Sequence, residues 1–339
     1  MKPLLIALAA VAIACAPAPH AGDEIAVVEE SAVIVWDAAA KTEHFIRRAI
    51  FHGKGRDFGF LVPTPAVPIL AEVDDAIFDK LEERTRPEIV HVTKRRLDFT
   101  PFLLMSETRS ESMTTGAAAP VEVLSSQKVA GYDAVVLAAT DAAALQKWLA
   151  GHGYASTPDL TEWLDAYVQR QWKITAFKID AAQPAVRTAA VKMSFAAERP
   201  FFPYREPASQ RRLASEKMDI RALRIWVLGD ERVTGTIGEK TFWPGILRRS
   251  DPLPDALRGD VARLAKLTLA APVRMTAFID QSSIRPGTDE LYFGRSAVQS
   301  GYVEPPRIVE HIERTRIPLD LIVLALIAIA VVWWLIRRA

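Results

Sequence analysis

The chain has 339 residues, 50% of them hydrophobic and 24% charged, the composition of a folded protein rather than a disordered one. Lysine and arginine number 42 against 41 aspartate and glutamate, a net charge of +1, so there is no basic field of the kind nucleic acid requires. One cysteine, Cys15, excludes a disulfide framework, and no asparagine is present to accept an N-linked glycan.

In chain order, Met1 and Lys2 form a short positive start before the apolar run 3–14. That run is too short to span a bilayer and suits a secretory signal over residues 1–21. Residues 12–15, Ala-Ile-Ala-Cys, are similar to a bacterial lipobox, in which Cys15 becomes a lipidated first residue; removal near the Ala-rich stretch 15–21 is the preferred reading. The runs 25–28 and 32–36, separated by Glu29-Glu30-Ser31, read as a hairpin, and 45–51 as a third strand. The unbroken apolar run 58–62 predicts a central strand buried on both faces, ended by Pro63, Pro65 and Pro68. Asp74 or Asp75 opens a helix that buries Ile77, Phe78 and Leu81. Residues 88–97 return as a strand, and 106–119 read as an exposed loop.

The middle carries the clearest signals. Residues 121–124 and 132–137 read as strands. Asp141 caps a helix with the stripe Leu145, Trp148 and Leu149, stopped by Gly151 and Gly153. Thr157 and Pro158 open a second helix that buries Leu160, Trp163, Leu164, Tyr167 and Val168. Residues 172–179 alternate as a strand, and 180–184 are the best candidate linker. Strands follow at 189–195, 222–228, 273–279 and 291–293, with an amphipathic helix over 257–269. A helix pair flanked by strands points to an α+β domain, a mixed sheet-and-helix body over 22–300, rather than an all-β sandwich.

Residues 301–316 read as a stalk leading to a transmembrane helix over 317–336 and a cytoplasmic tail, 337–339. From Leu321 to Ile336 there is no charge, and twelve Leu, Ile or Val between 319 and 336 favour insertion by roughly −5 kcal/mol. Arg337 and Arg338 stay inside by the positive-inside bias. The expected location is a bacterial membrane, single-pass, with the domain on the extracytoplasmic side.

Four stretches resemble an uncharacterised bacterial family, the domain of unknown function 2330: Phe-Gly-Phe-Leu-Val-Pro-Thr-Pro at 58–65, the run 129–154 from Val-Ala-Gly-Tyr-Asp to Gly-His-Gly-Tyr, residues 167–179, and Arg-Pro-Phe-Phe-Pro-Tyr-Arg at 199–205. With 291–293 they extend over most of 22–300. The resemblance implies a secreted or membrane-attached bacterial protein and no known activity. Members often carry two cysteines near the mature N-terminus, which this chain lacks.

Catalytic and cofactor patterns fail one by one. The glycines of 53–59 lead into a strand rather than a helix N-terminus, and Glu239 interrupts the P-loop echo at 235–241. No two of His20, His44, His52, His91, His152 and His311 have helical zinc spacing, and no Gly-x-Ser-x-Gly elbow exists. No catalytic, metal or cofactor residue is assigned. Trp148, Trp163 and Trp172 read as core. The most suggestive surface is 199–207, where Arg199, Tyr204 and Arg205 combine guanidinium groups with aromatic faces that suit a peptide or anionic glycan. The expectation is a membrane-anchored binding or scaffold module of the bacterial cell envelope, with an envelope protein or glycan as partner. The alternative is an envelope hydrolase acting on peptide or glycan.

Overall fold

The computed structural model describes residues 16–20, 23, 25–53, 57–99, 125–139, 141–155, 157–180, 183–208, 221–270, 272–282, 285–317 and 319–338. Two compact units make up the chain, Met1–Arg86 with Thr114–Glu304, and Pro87–Met113 with Pro305–Ala339.

The first unit is built on a nine-stranded sheet. Its order is β19 (Tyr302–Val303), β16 (Ile246–Pro252), β17 (Arg274–Asp280), β13 (Ala222–Gly229), β2 (Ile25–Asp37), β3 (Thr42–Gly53), β11 (Val191–Ala196) and β5 (Ile69–Glu72), with β10 (Ala185–Arg187) also on β3. Only β13 and β2 run parallel in it. A five-stranded sheet runs β1 (Ala16–Ala18), β4 (Asp57–Thr64), β9 (Lys173–Asp180), β8 (Tyr132–Leu137) and β7 (Ser125–Val129). A four-stranded sheet runs β12 (Phe201–Phe202), β18 (Leu291–Arg295), β14 (Val233–Ile237) and β15 (Thr241–Phe242). Helices α1 (Ala76–Thr85), α2 (Ala142–Gly151), α3 (Pro158–Val168) and α4 (Asp255–Ala265) complete the unit.

The period of two along each strand sets the layers. On β4, Phe58, Phe60 and Val62 join Ile34, Phe45, Phe51, Phe177 and Phe202 in a core between the sheets. Leu61 faces the other way, into a cluster with Leu145, Leu149, Leu164 and Tyr167 of α2 and α3. On β2, Val33 and Val35 turn from the inner core to Ile77, Phe78 and Leu264 of α1 and α4. The result is sheet on sheet, with a helix pair on each outer face. Each buried Phe contributes roughly 1.5–3 kcal/mol, so this aromatic inner layer is a large contributor to stability.

The second unit pairs β6 (Ile89–Phe99) with β20 (Arg307–Ile317) in parallel, from Arg307 opposite Ile89 to Ile317 opposite Phe99. Helix α5 (Leu319–Ile336) belongs to the same unit.

Several expectations are corrected. The protein is mostly β, with 47% strand against 21% helix in five helices among the described residues, so the α+β assignment gives way. The helix pair is real, but many strands lack an alternation signal; β20, Arg-Ile-Val-Glu-His-Ile-Glu-Arg-Thr-Arg-Ile, reads as a polar stalk and is a strand. The expected hairpin over 25–36 is one strand with a bulge between Val27 and Glu29. Glu30 lies within that strand, buried against Arg47, rather than in a turn. Residues 16–18 of the expected leader form the buried strand β1.

The membrane anchor is corrected as well. Among the described residues no helix is long and apolar enough to cross a membrane. The strand β20 holds the chain extended as far as Ile317, so α5 begins only at Leu319 and has 18 residues with Asp320 in its first turn. That is about 27 Å of helix, short of the ~30 Å hydrocarbon core. The single-pass membrane localisation falls with the span. The loop 106–119, the strand 121–124 and Cys15 lie outside the described residues.

Candidate functional site

The segment after β11 is fixed from beneath. Phe201 and Phe202 pair with Tyr292 and Leu291 of β18, and both are buried. Tyr204 is 0% exposed, so it lies below the surface expected of it. Its hydroxyl donates to Asp280 at 2.8 Å, and its backbone N–H donates to Glu290 Oε2 at 3.0 Å. The Arg205 N–H reaches the same oxygen at 3.4 Å, and the Arg205 carbonyl accepts from Trp163 Nε1 at 2.9 Å. Glu206 N–H donates to Gly287 O, while its carboxylate pairs with buried Arg221 at 2.9 Å. Trp163 is therefore a core residue with a positioning bond, as its helical stripe suggests.

Three guanidinium groups stand on this base. Arg199 lies over the Tyr292 ring at 3.8 Å and pairs with Glu239. Arg205 sits 3.8 Å from Asp289 and 4.0 Å from Glu290, and Arg170, in the turn after α3, is 3.2 Å from Asp289. Arg170 also faces Trp172 at 6.0 Å. Two of the expected site residues, Arg199 and Arg205, thus share one surface with Arg170, Asp289 and Tyr292, which the sequence reading did not assign. The alternation of β18 that leaves Tyr292 half-buried and buries Leu291 and Phe293 was the available signal.

Burial governs the charges beneath. Glu290 is pushed up to about 7 by burial, against the lowering effect of the Tyr167 hydroxyl, the Arg205 N–H and the Arg205 charge. Burial also raises Asp280, but Arg285, Ser282 and the Tyr204 hydroxyl outweigh it and hold that carboxyl below its ordinary value. The Tyr204 hydroxyl is raised, first by burial and then by the Asp280 charge, so it remains a donor.

Matching the sequence against protein families places residues 9–239 in the group described as "Uncharacterized protein conserved in bacteria (DUF2330)". The chain belongs to the DUF2330 family. The DUF2330 match takes in Arg170, Arg199, Tyr204 and Arg205 and stops short of Asp289, Glu290 and Tyr292. No curated protein matches the chain significantly. Among solved structures, the crystal structure of baculovirus P35 is similar at 7% identity, with a TM-score of 0.34 over 83% of this chain and 96% of that one.

Among the described residues, the hydrolase alternative finds a Ser–His pair. His44 Nδ1 and Ser194 Oγ are 2.8 Å apart on the adjacent strands β3 and β11. Burial, then the charge of Lys192, holds His44 below its ordinary value. Ser194 is flanked by paired strands on both sides, opposite His44 and Ile69, so the nearby backbone N–H groups are held in ladders rather than gathered into an oxyanion hole. Among the described residues no group of three His, Cys, Asp or Glu is placed to hold a metal ion.

Proposed function

We propose that this protein is a binding or scaffold module that recognises an acidic protein or glycan partner of the cell envelope through Arg170, Arg199 and Arg205. The observation that carries the reading is the fixing of Arg205 beside buried Glu290 and of Arg199 over the Tyr292 ring of the neighbouring strand. A preorganised guanidinium pair loses little freedom on meeting a carboxylate or sulfate, and its planar fork suits both. The Glu239 carboxylate is 77% exposed, so its pair with Arg199 is easily exchanged for an incoming anion. Tyr292 keeps the guanidinium in place during that exchange.

The test is binding of a polyglutamate peptide and of a uronic-acid oligosaccharide, followed by calorimetry at low and high salt. The charge reversals Arg199→Glu and Arg205→Glu together should weaken binding at least about tenfold, and added salt should weaken it in the parent. Failure of both probes to bind at low salt would sink the reading. The hydrogen-bonded pair His44–Ser194 keeps hydrolysis as a second reading. Peptide or glycan turnover that disappears in Ser194→Ala would establish it.

A further inference from the structure

A second recessed site lies on the outer face of the five-stranded sheet, in the first unit. Side chains of two neighbouring rows point outward there: Gly59, Lys178 and Asp133 in one, and Leu61, Ala176 and Val135 in the next. Gly59 and Ala176 are small, and they hollow the sheet under the end of α2. Trp148 and His152 of that helix end, with rings 4.2 Å apart, and Tyr154 just beyond it line a cleft of ≈160 Å³.

The walls are held in place. Gly153 takes φ +95°, which turns the chain sharply at the end of α2, and Tyr154 N–H returns to Leu149 O at 3.1 Å. The Tyr154 ring comes down over Gly59; a Cβ at that glycine would lie 3.8 Å from ring atom Cε2. His20 steadies the turn, with Nδ1 2.9 Å from Gly153 O and Nε2 3.2 Å from Asp57. With both nitrogens engaged, His20 clamps the turn.

The rim is acidic. Asp57 holds the ammonium of Lys178 at 2.9 Å, so the lysine lining the cleft is already paired. Asp133 pairs with Lys128, at 3.4 Å and 80% exposed, a pair that solvent weakens. The Tyr154 hydroxyl is raised by burial and then by the charges of Asp57 and Asp133, so both carboxylates act on the aromatic wall. The carbonyl end of α2 adds to a potential that favours positive charge. An adjoining groove of ≈430 Å³ shares Asp133 and Lys178 and gives a route in from solvent.

From this geometry we infer that the cleft binds a small organic cation with an apolar body, an alkylammonium of about the size of choline. A cavity near 150 Å³ holds a benzene-sized molecule, which sets the size. Trp148, Tyr154 and the Asp133 carboxylate, which line the cleft together, set the charge, because aromatic rings attract alkylammonium groups that water solvates poorly.

The experiment is calorimetric titration of the full-length chain with choline and with its neutral isostere 3,3-dimethylbutan-1-ol, with tryptophan fluorescence read in parallel and its change assigned to Trp148 by comparison with Trp148→Phe. Choline should bind at least about fivefold tighter than the isostere. Asp133→Asn, at an exposed position, should erase most of that difference, and Trp148→Phe should weaken choline without unfolding α2. The double variant Arg199→Glu/Arg205→Glu should leave choline binding unchanged, which separates this site from the arginine surface. Equal binding of the two probes would reduce the cleft to an apolar cavity and overturn the inference, as would the absence of choline binding.

Discussion

Glu290 is a carboxyl placed where its charge is disfavoured. It is 0% exposed, accepts the N–H groups of Tyr204 and Arg205, and is held up to about 7. Between the ordinary value of 4.5 and about 7 the unfolded chain has released this proton and the native chain keeps it. Stability from this group is therefore complete below pH 4.5 and lost as the pH rises through about 7, at most on the order of 3 kcal/mol. Glu43, raised by burial with only the Phe201 N–H opposing it, adds a slope of the same sign. In denaturant titrations across this range Glu290→Gln should flatten the fall without abolishing it. A parallel curve would mean that Glu290 is already ionised when folded. Sequence reading reached Arg199 and Arg205 because aromatic and basic residues crowd together at 199–205. It missed Arg170 and Asp289 because the two are 119 residues apart and meet only through the fold.

At the level of elements, the legible features were those written locally. Asp141 accepts from Ala144 N–H at 2.7 Å and Thr157 from Leu160 N–H at 3.2 Å, the two caps expected from residue type and spacing. The apolar run at 58–62 became β4, although Pro63 continues the strand opposite Ile174. What was not legible is pairing at a distance. β1 looks like the end of a leader, yet Ala16 and Ala18 are 0% exposed beside Leu61 and the α2–α3 cluster. Removing residues 16–20 would uncover one edge of β4 and release the His20 contacts to Gly153 and Asp57. We expect a shortened chain that starts at Ala21 to lose about 2–4 kcal/mol in urea melts. An unchanged midpoint would show that β1 is dispensable. Trp148 illustrates the same limit: its helical stripe reads as core, but the end of α2 beside it opens onto a cleft.

For the molecule as a whole, the division into two units has a thermal signature. A chain ended after Glu304 keeps all strands of the first unit and deprives β6 of β20. The melting temperature of the first unit should move by no more than about 2 °C. Limited proteolysis should then cut within 87–99, because a lone strand exposes its backbone on both edges. Protection of that stretch would mean that β6 has another partner. The same pairing orders events during synthesis. Lys94 and Glu310 form an ion pair across 216 residues of chain. At roughly 5–20 residues per second, β6 leaves the ribosome about 10–40 s before β20 exists to receive it. For that interval an eleven-residue strand waits alone, and the consecutive Lys94, Arg95 and Arg96 near its middle are the charges that keep a nascent edge from pairing with its neighbours on the polysome.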